Sequence, residues 1–331
     1  MKALVVEKPR HAVVKEIPEP TPGKGEVVIR VENVGICGTD MHIFAGEFIS
    51  PYPIVPGHEF AGVIHSVGEG VATFKPGDRV TADPSLFCGE CEFCLTNRGN
   101  HCLNWGAIGN TVNGSMAEYV KVPAKNVLKI PDSMSFAEAA FVEPLACVVH
   151  GMNRLNLQAG NRVILFGAGA MGQQLVQAMA HAGASELVVV DVSREKLNMA
   201  MKYGATKGVL SDQLKKEDYP RGFDAVIDVT GIPAVIEREM DFIGPAGKFL
   251  QFGVAPQHAT VRISPFKLYN MDWTLIGSMA INHTFIPAFH WIKEGRIDLK
   301  PLISKTINLQ EAVEFFARPK DPDLFKVQIK I

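Results

Sequence analysis

Apolar and polar residues alternate in short segments of the first part of the chain, and this period of two is typical of half-buried β-strands. The clearest alternation lies in residues 26–34, and a second strand-type run fills residues 60–68. Further strand-like pieces occupy residues 115–122 and 127–130. The pattern therefore predicts a β-rich first part of the chain.

The hydrophobic pattern changes near residue 160, where fully apolar runs begin to alternate with helical segments. Strands are predicted at residues 162–166, 186–191, 223–230, 248–253 and 273–279. Apolar strands separated by helices predict an α/β fold with a doubly wound parallel sheet, which binds ligands at the carboxyl ends of its strands. Residues 287–331 are predicted to form helix, helix and strand, to rejoin the first part of the chain and to carry no chemistry of their own.

A glycine-rich turn follows the first of these apolar strands. Gly167, Gly169 and Gly172 occupy the glycine positions of G-x-G-x-x-G, and Met171 begins a helical period. Such glycines let the backbone approach a pyrophosphate seated on a helix N-terminus. The turn predicts a dinucleotide site, and the alternative is a glycine-rich turn that binds no nucleotide.

The next strand ends in Asp191, about twenty residues past the turn, where a carboxylate can accept the ribose hydroxyls of the cofactor. An acid at this position also repels a 2′-phosphate, so NAD is favoured over NADP, although the nearby Arg194 leaves NADP open. Thr230 and Gly253 end two later strands and are predicted to line the cofactor site; the alternative is that each is a plain strand terminus.

Composition narrows the function further. The chain has 331 residues, 47% of them hydrophobic, and its 33 basic and 35 acidic residues give a net charge of −2. About two domains are expected at this length. The balanced charge argues against a nucleic-acid or membrane surface, and residues 1–9 are too short an apolar stretch for a signal peptide. We expect a cytoplasmic protein.

Four of the six cysteines cluster in one glycine- and glutamate-containing loop: Cys88, Cys91, Cys94 and Cys102. Four thiolates at this spacing can close a tetrahedral shell with no open position, which indicates a structural zinc site. An iron–sulfur cluster is the other metal interpretation, and chance clustering of unligated cysteines is the third. Cys147 has no partner left and is interpreted as a small buried hydrophobic residue.

A second metal set is predicted from Cys37, His58 and Glu59, because a thiolate, an imidazole and a carboxylate can hold a catalytic zinc and leave a fourth position open. Taken alone this trio is weak, since a lone histidine is more often a core residue. Thr39 and His42 follow Cys37 in a predicted short helix capped by Thr39 or Asp40. If zinc binds there, these two side chains can relay a proton from a substrate hydroxyl.

A capping box at Ser135 and Glu138 predicts the start of a helix that carries Glu143 among apolar neighbours. A carboxylate buried there without a partner would be costly, so Glu143 is expected near the metal, as a ligand or through water. An ion pair with an arginine is the structural alternative.

These motifs together resemble the zinc-containing medium-chain dehydrogenases over nearly the whole chain. The zinc signature of that family is matched at Gly57, His58, Glu59, Gly62, Gly68 and Val71, alongside the four-cysteine loop and the glycine turn. The resemblance implies a GroES-like catalytic domain of residues 1–147 and 282–331 with a structural-zinc lobe at 84–105. It also implies a Rossmann domain at 148–281 that binds NAD, one catalytic and one structural zinc per chain, and a homo-oligomer, a dimer or tetramer.

Residues 37–42 and 143–145 are similar to the sorbitol and polyol dehydrogenase branch, in which Cys37, His58 and Glu59 would hold zinc and Glu143 would reach it through water. Two departures concern substrate contacts: this chain has Ile43 where that branch has a tyrosine, and Ala280 and Ile281 where it has an arginine and a tyrosine. The expected reaction is oxidation of a secondary alcohol, foremost a sugar alcohol, to a ketose or ketone.

Two rival functions follow from the same residues. The segment from Cys37 to Ile43 is also similar to L-threonine 3-dehydrogenases, against which Glu143 and Pro144 argue. From a different class comes a non-catalytic zinc-bearing nucleotide-binding protein, which would need only the four-cysteine site. The trio of Cys37, His58 and Glu59 argues against that second rival.

Overall fold

Both ends of the chain fold together in the computed structural model, which describes residues 1–318, 321 and 323–331. One unit comprises Met1–Ala146 and Ile281–Ile331, and we call it the split unit. The other comprises Cys147–Ala280, and we call it the central unit.

The strands of the described residues, in chain order, are β1 (Lys2–Lys8), β2 (His11–Glu16), β3 (Glu26–Gly35), β4 (Glu59–Val67), β5 (Arg79–Ala82), β6 (Ser85–Leu86), β7 (Gly106–Ala107), β8 (Tyr119–Pro123), β9 (Val127–Lys129), β10 (Arg162–Phe166), β11 (Glu186–Asp191), β12 (Lys207–Leu210), β13 (Phe223–Asp228), β14 (Ile243–Gln251), β15 (Thr274–Gly277), β16 (Ile303–Ile307) and β17 (Lys326–Lys330). The α-helices are α1 (Gly38–Ala45), α2 (Glu92–Leu95), α3 (Phe136–Ala139), α4 (Val142–Leu155), α5 (Ala170–His181), α6 (Arg194–Lys202), α7 (Pro233–Glu239), α8 (Pro265–Asn270), α9 (Phe285–Lys293) and α10 (Leu309–Ala317).

The split unit is built around a seven-stranded sheet in the order β16-β17-β3-β4-β5-β9, with β8 also pairing β3. The alternation predicted for β3 is present only in part: Val27, Ile29 and Val31 are buried and Arg30 is exposed, but Val28 on the other face is fully buried as well. The last strand, β17, pairs antiparallel with β3, so the tail does rejoin the first part of the chain. The prediction of helix, helix and strand missed β16, which lies between α9 and α10.

The central unit is built around a six-stranded sheet in the order β12-β11-β10-β13-β14-β15. Each neighbouring pair of these strands runs parallel, which confirms the predicted doubly wound sheet. Val163, Ile164 and Leu165 of β10 are fully buried, as expected for a strand covered on both faces. The strand order reverses between β10 and β13, and the carboxyl ends at such a reversal are where this fold binds ligands.

None of the helices in the described part of the chain is both long enough and apolar enough to cross a bilayer.

Candidate active site and metal centres

The proposed catalytic zinc ligands lie together in the split unit. Cys37 follows β3 and is the N-cap of α1, while His58 and Glu59 stand at the start of β4. One ligand atom from each of the three residues lies within 4.8 Å of the others. Because β3 and β4 pair antiparallel and Gly35 stands opposite Glu59, the register of the sheet brings the two ligand segments together.

Asp40 joins these two segments. Its buried carboxylate accepts hydrogen bonds from the backbone N–H of Cys37 at 2.8 Å and of Gly57 at 3.1 Å. The predicted cap of α1 was wrong: Cys37 occupies the N-cap, and Asp40 occupies the third helical position, as the acidic partner of a capping box. The sequence signal for this role was an acid three residues after the proposed ligand.

The Asp40 carboxylate also lies close to the His58 ring: Asp40 Oδ1 is 3.5 Å from His58 Nδ1. Burial is the largest single influence and lowers the pKa of His58, but Asp40 and Cys37 together outweigh it, and the pKa lies well above its ordinary value. Nδ1 is buried and makes no hydrogen bond within the described residues. A half-buried thiol, a buried imidazole and a buried carboxylate with ligand atoms within 4.8 Å of one another form a donor set that suits zinc.

Lys326 of β17 neutralises Glu59. Its Nζ donates to both carboxylate oxygens at 2.7 Å and to the carbonyl oxygen of Ile36 at 3.2 Å, and Lys326 is only 5% exposed. The prediction that the tail carries no chemistry was therefore wrong. Lys326 lies 267 residues from Glu59 along the chain, and no local pattern pointed to it.

Thr39 and His42 lie on one face of α1, three residues apart. Thr39 Oγ1 is 3.8 Å from Cys37 Sγ. His42 Nδ1 is 3.0 Å from Glu47 Oε2, and the His42 side chain is 29% exposed. The proposed relay therefore starts beside the ligand set and ends at a solvent-accessible ion pair.

Glu143 is buried in the first turn of α4, outside the set of three ligand atoms. Burial is the main cause that raises the pKa of its carboxyl to about 7, and the positive charge of His58 opposes the shift. Glu59 adds to the shift and Lys326 reduces it. The charges acting on Glu143 thus include those of His58 and Glu59, and its role near the metal stays a prediction.

The four-cysteine site is also assembled. The Sγ atoms of Cys88, Cys91, Cys94 and Cys102 lie within 4.8 Å of one another, with pairs at 3.5 to 3.9 Å, and none forms a disulfide. The backbone N–H groups of Cys94 and Leu103 face the Cys91 sulfur and lower its pKa to about 6. In the same cluster burial raises the pKa of Cys94 to about 12. Cys147, predicted to be fully buried, is half-buried instead.

In the central unit the glycine turn follows β10. Gly167 has φ of 101°, in the left-handed region that favours glycine. A Cβ at Gly172 would overlap the carbonyl oxygen of Gly167, so only glycine allows α5 to start this close to the turn. Gly169 is the N-cap of α5 and Met171 lies in its first turn. The backbone is shaped for an approaching pyrophosphate at a helix N-terminus.

Asp191 ends β11 beside this turn. Its Oδ2 accepts the N–H of Ala168 at 2.6 Å, and its Oδ1 accepts the N–H of Ser193 at 2.9 Å. These bonds hold the carboxylate against the glycine turn, where the ribose of a dinucleotide would lie.

The fully buried Asp228 accepts hydrogen bonds from Thr230 and lies close to Gly253. The Asp228 carboxylate accepts the N–H and the hydroxyl of Thr230 at 2.9 and 2.6 Å, and a Cβ at Gly253 would crowd it. A Cβ at Gly167 would lie 3.3 Å from Thr230 Cγ2, so Thr230 borders the glycine turn.

Glu239, near the C-terminal end of α7, is fully buried and faces the charge of Asp228. Burial, with the negative charge of Asp228 second, raises the pKa of Glu239 to about 9. The sequence analysis missed Asp228 and Glu239, because both fall in segments that could be interpreted as plain core.

Comparison with known proteins identifies the family. Residues 23–132 match the family described as Alcohol dehydrogenase GroES-like domain, and residues 170–294 match that described as Zinc-binding dehydrogenase. D-arabinitol dehydrogenase 1 of Uromyces fabae is 32% identical over 339 residues, covering 100% of this chain and 97% of that protein. An L-threonine 3-dehydrogenase of Shewanella baltica strain OS155 is 34% identical over 327 residues, covering 96% of this chain and 95% of that protein.

Among solved structures, one described as a zinc-binding dehydrogenase from Sinorhizobium meliloti, bound to NADP, aligns with a TM-score of 0.96 at 32% identity. It covers 100% of this chain and 99% of that chain. Relatives above 30% identity over essentially the full length, with a donor set for zinc and a dinucleotide turn in place, establish the assignment. The chain belongs to the zinc-containing medium-chain dehydrogenase family of oxidoreductases.

Proposed function

We propose that this protein oxidises a secondary hydroxyl of a sugar alcohol to a ketone with NAD as hydride acceptor. The observation that carries the proposal is the convergence of Cys37, His58 and Glu59 within 4.8 Å in a chain of this family. These three residues would hold the catalytic zinc, with Glu143 nearby. Bound there, zinc would act as a Lewis acid that lowers the pKa of the substrate hydroxyl.

The chain's own residues would handle the proton. Thr39, beside Cys37, would accept it from the substrate hydroxyl and pass it to His42. His42 is half-exposed and paired with Glu47, so a proton on its ring can leave to solvent. The hydride would pass from the carbinol carbon to the nicotinamide, which the protein positions and which supplies the redox chemistry.

The proposed cofactor is NAD. Support comes from Asp191, whose carboxylate is fixed at the position where a 2′-phosphate would have to lie. The Sinorhizobium meliloti relative is bound to NADP, and Arg194 follows Asp191 closely here, so the choice needs measurement. We expect kcat/KM to be at least tenfold higher with NAD than with NADP. Equal values would contradict the role given to Asp191.

Substrate class is tested by a panel with either cofactor. D-arabinitol, D-altritol, sorbitol, butane-2,3-diol and L-threonine present secondary alcohols that differ in length and charge. We expect the highest kcat/KM on a pentitol or hexitol. Turnover restricted to L-threonine would replace the polyol proposal with the amino-alcohol one, which the 34% identical Shewanella baltica relative supports.

The Cys88-to-Cys102 cluster is proposed to hold a structural zinc, because four thiolates leave no position open for substrate. Thiolate ligands of this kind persist in a reducing compartment, so we propose that the protein is cytoplasmic.

We also propose a homo-oligomer in which β15 pairs with the same strand of a second copy. β15 is the edge strand of the central sheet, and exposed apolar side chains surround it: Tyr269 is 82% exposed and Leu275 is 37% exposed. An unpaired edge next to apolar residues favours pairing with another strand. A dimer built in this way would extend the sheet across two chains, and a tetramer would need a further contact.

A further inference from the structure

A cavity of about 580 Å³ opens in the central unit at the amino ends of the parallel strands. Arg162 begins β10, Asp224 lies at the start of β13, Ile243 begins β14 and Trp273 directly precedes β15. The glycine turn lies at the opposite, carboxyl end of β10, so this space is separate from the dinucleotide site. We call it the amino-edge cavity.

The charges around the amino-edge cavity do not cancel. Four cations and two carboxylates line it: Arg162, Lys216, Arg221, Lys267, Asp224 and Asp241. Lys267 is neutralised by Asp241 at 2.9 Å, and Arg162 by Glu186 at 2.6 Å. Asp224 accepts the backbone N–H of Arg162 at 2.7 Å.

Two cations are left without a carboxylate partner among the described residues. Lys216 Nζ is half-buried and donates only to the carbonyl oxygen of Tyr219, at 3.2 Å. Arg221 has no ion pair in the part of the chain that the structure describes, although it stands in the same wall. Burial is the largest influence on Lys216 and lowers its pKa; the negative charge of Asp241 opposes this shift and the positive charge of Lys267 adds to it.

The remaining wall is mostly apolar and includes two aromatic side chains, Phe266 and Trp273. Trp273 Nε1 donates to the carbonyl oxygen of Gly244 at 3.1 Å, which orients the indole, and Met240 and Met271 also line the cavity. A concave, mostly apolar site with a few convergent charged groups is the usual form of a small-molecule site.

We propose that the amino-edge cavity binds a small organic anion, with a phosphate or carboxylate group between Lys216 and Arg221 and a flat apolar body beside Trp273. Two unpartnered cations supply the charge recognition, and the indole supplies the contact surface. This site does not depend on the proposed polyol activity, since none of its residues belongs to the metal or dinucleotide sites.

The test uses tryptophan fluorescence of the full-length enzyme with NAD at saturating concentration, which keeps an aromatic phosphate out of the dinucleotide site. Trp105→Phe and Trp291→Phe leave Trp273 as the only reporter of the three tryptophans. Phenyl phosphate and benzoate are the probes for the two anionic groups, and phenol is the uncharged control. We expect saturable binding of at least one anion, at least tenfold tighter than that of phenol and weakened by added salt.

Lys216→Met and Arg221→Met should each weaken binding of the anion about tenfold, the loss expected when one charged hydrogen bond disappears. Lys215→Met is the matched control, because Lys215 is an exposed neighbour outside the cavity wall. This variant should bind the anion as tightly as the protein with Lys215 does. The proposal is overturned if neither anion saturates, if phenol binds as tightly, or if the Lys216 and Arg221 variants bind like the Lys215 control. Circular dichroism of each variant verifies that it is folded.

Discussion

At the scale of single residues, two side chains that bind no metal hold the proposed zinc ligands in place. Asp40 fixes the backbone on both sides of the site, and Lys326 balances the charge of Glu59. The ligands themselves could be predicted from Cys37 and the Gly57 to Glu59 motif. The role of Lys326 could not be predicted, because Glu59 lies 267 residues away along the chain and only the pairing of β17 with β3 brings Lys326 close to it.

With the accessible zinc removed, Lys326→Met should destabilise the protein by about 3–5 kcal/mol, because the Glu59 carboxylate is then buried with neither the metal nor Lys326 beside it. The double variant with Glu59→Gln should recover most of this loss. Lys330→Met is the matched control: Lys330 also pairs with a glutamate, Glu32, but its side chain is 49% exposed, so the cost should be under about 1 kcal/mol. Urea unfolding at pH 7 gives the free energy of unfolding of the wild type, the two single variants and the double variant. Equal losses of stability in Lys326→Met and Lys330→Met would contradict the role of Lys326 in balancing the buried charge of Glu59.

Glu239 gives a pH prediction. Its folded pKa of about 9 lies above the ordinary value of 4.5, so the folded state holds a proton that the unfolded state has released. The stability that this proton provides is complete below pH 4.5 and is lost as the pH rises towards 9. Glu239→Gln cannot ionise at this position. As the pH rises from 6 to 8.5, its free energy of unfolding should therefore increase relative to that of the wild type by up to about 3 kcal/mol. Urea unfolding at several pH values in this range measures both proteins. If their free energies of unfolding change in parallel with pH, Glu239 titrates normally and the prediction is contradicted.

At the scale of elements, the strands and the glycine turn of the central unit could be predicted because their pattern is local. A fully apolar run, a G-x-G-x-x-G turn and a helical period all lie within residues 162–179. Elements of the split unit were harder to predict. β16 has an exposed middle, with Ser304, Lys305 and Thr306 facing solvent, so its sequence carries no apolar strand signal.

Gly172→Ala should disrupt the turn, because its Cβ would overlap the Gly167 carbonyl oxygen, whereas Gly169→Ala meets no atom within 4 Å. We expect the Gly172 variant to bind NADH at least tenfold more weakly and to melt at a lower temperature. The Gly169 variant should keep the melting temperature of the wild type without cofactor. NADH fluorescence titration and thermal unfolding measure these effects, and equal melting temperatures for the two variants would argue against the close approach at Gly172.

At the scale of the whole molecule, the proposed catalytic zinc ligands lie in the split unit and the proposed dinucleotide turn lies in the central unit. The sequence motifs predicted both chemistries, and the family comparison places the chain among enzymes that combine them. The assembly of chains could not be derived from motifs, because an exposed edge strand becomes visible only once the sheet order is known.

Leu275→Lys should shift the protein towards smaller species, since a charge on an edge strand opposes pairing with a second strand. Met201→Lys is the control, because Met201 is similarly exposed, at 43%, but lies on α6. Light scattering after size-exclusion chromatography gives the mass of each species. If both variants keep the mass of the wild type and that mass exceeds one chain, β15 is not the contact.

The central claim is that Cys37, His58 and Glu59 hold a zinc ion required for alcohol oxidation, separate from the four-cysteine site. Its most direct test is zinc content per chain, measured together with polyol-dependent NADH formation, in the wild type and in Cys37→Ser. We expect two zinc ions and activity in the wild type, and one zinc ion with at least a thousandfold loss of activity in Cys37→Ser. A Cys37→Ser enzyme that keeps both zinc ions, or that loses one and still turns over at the wild-type rate, would contradict it.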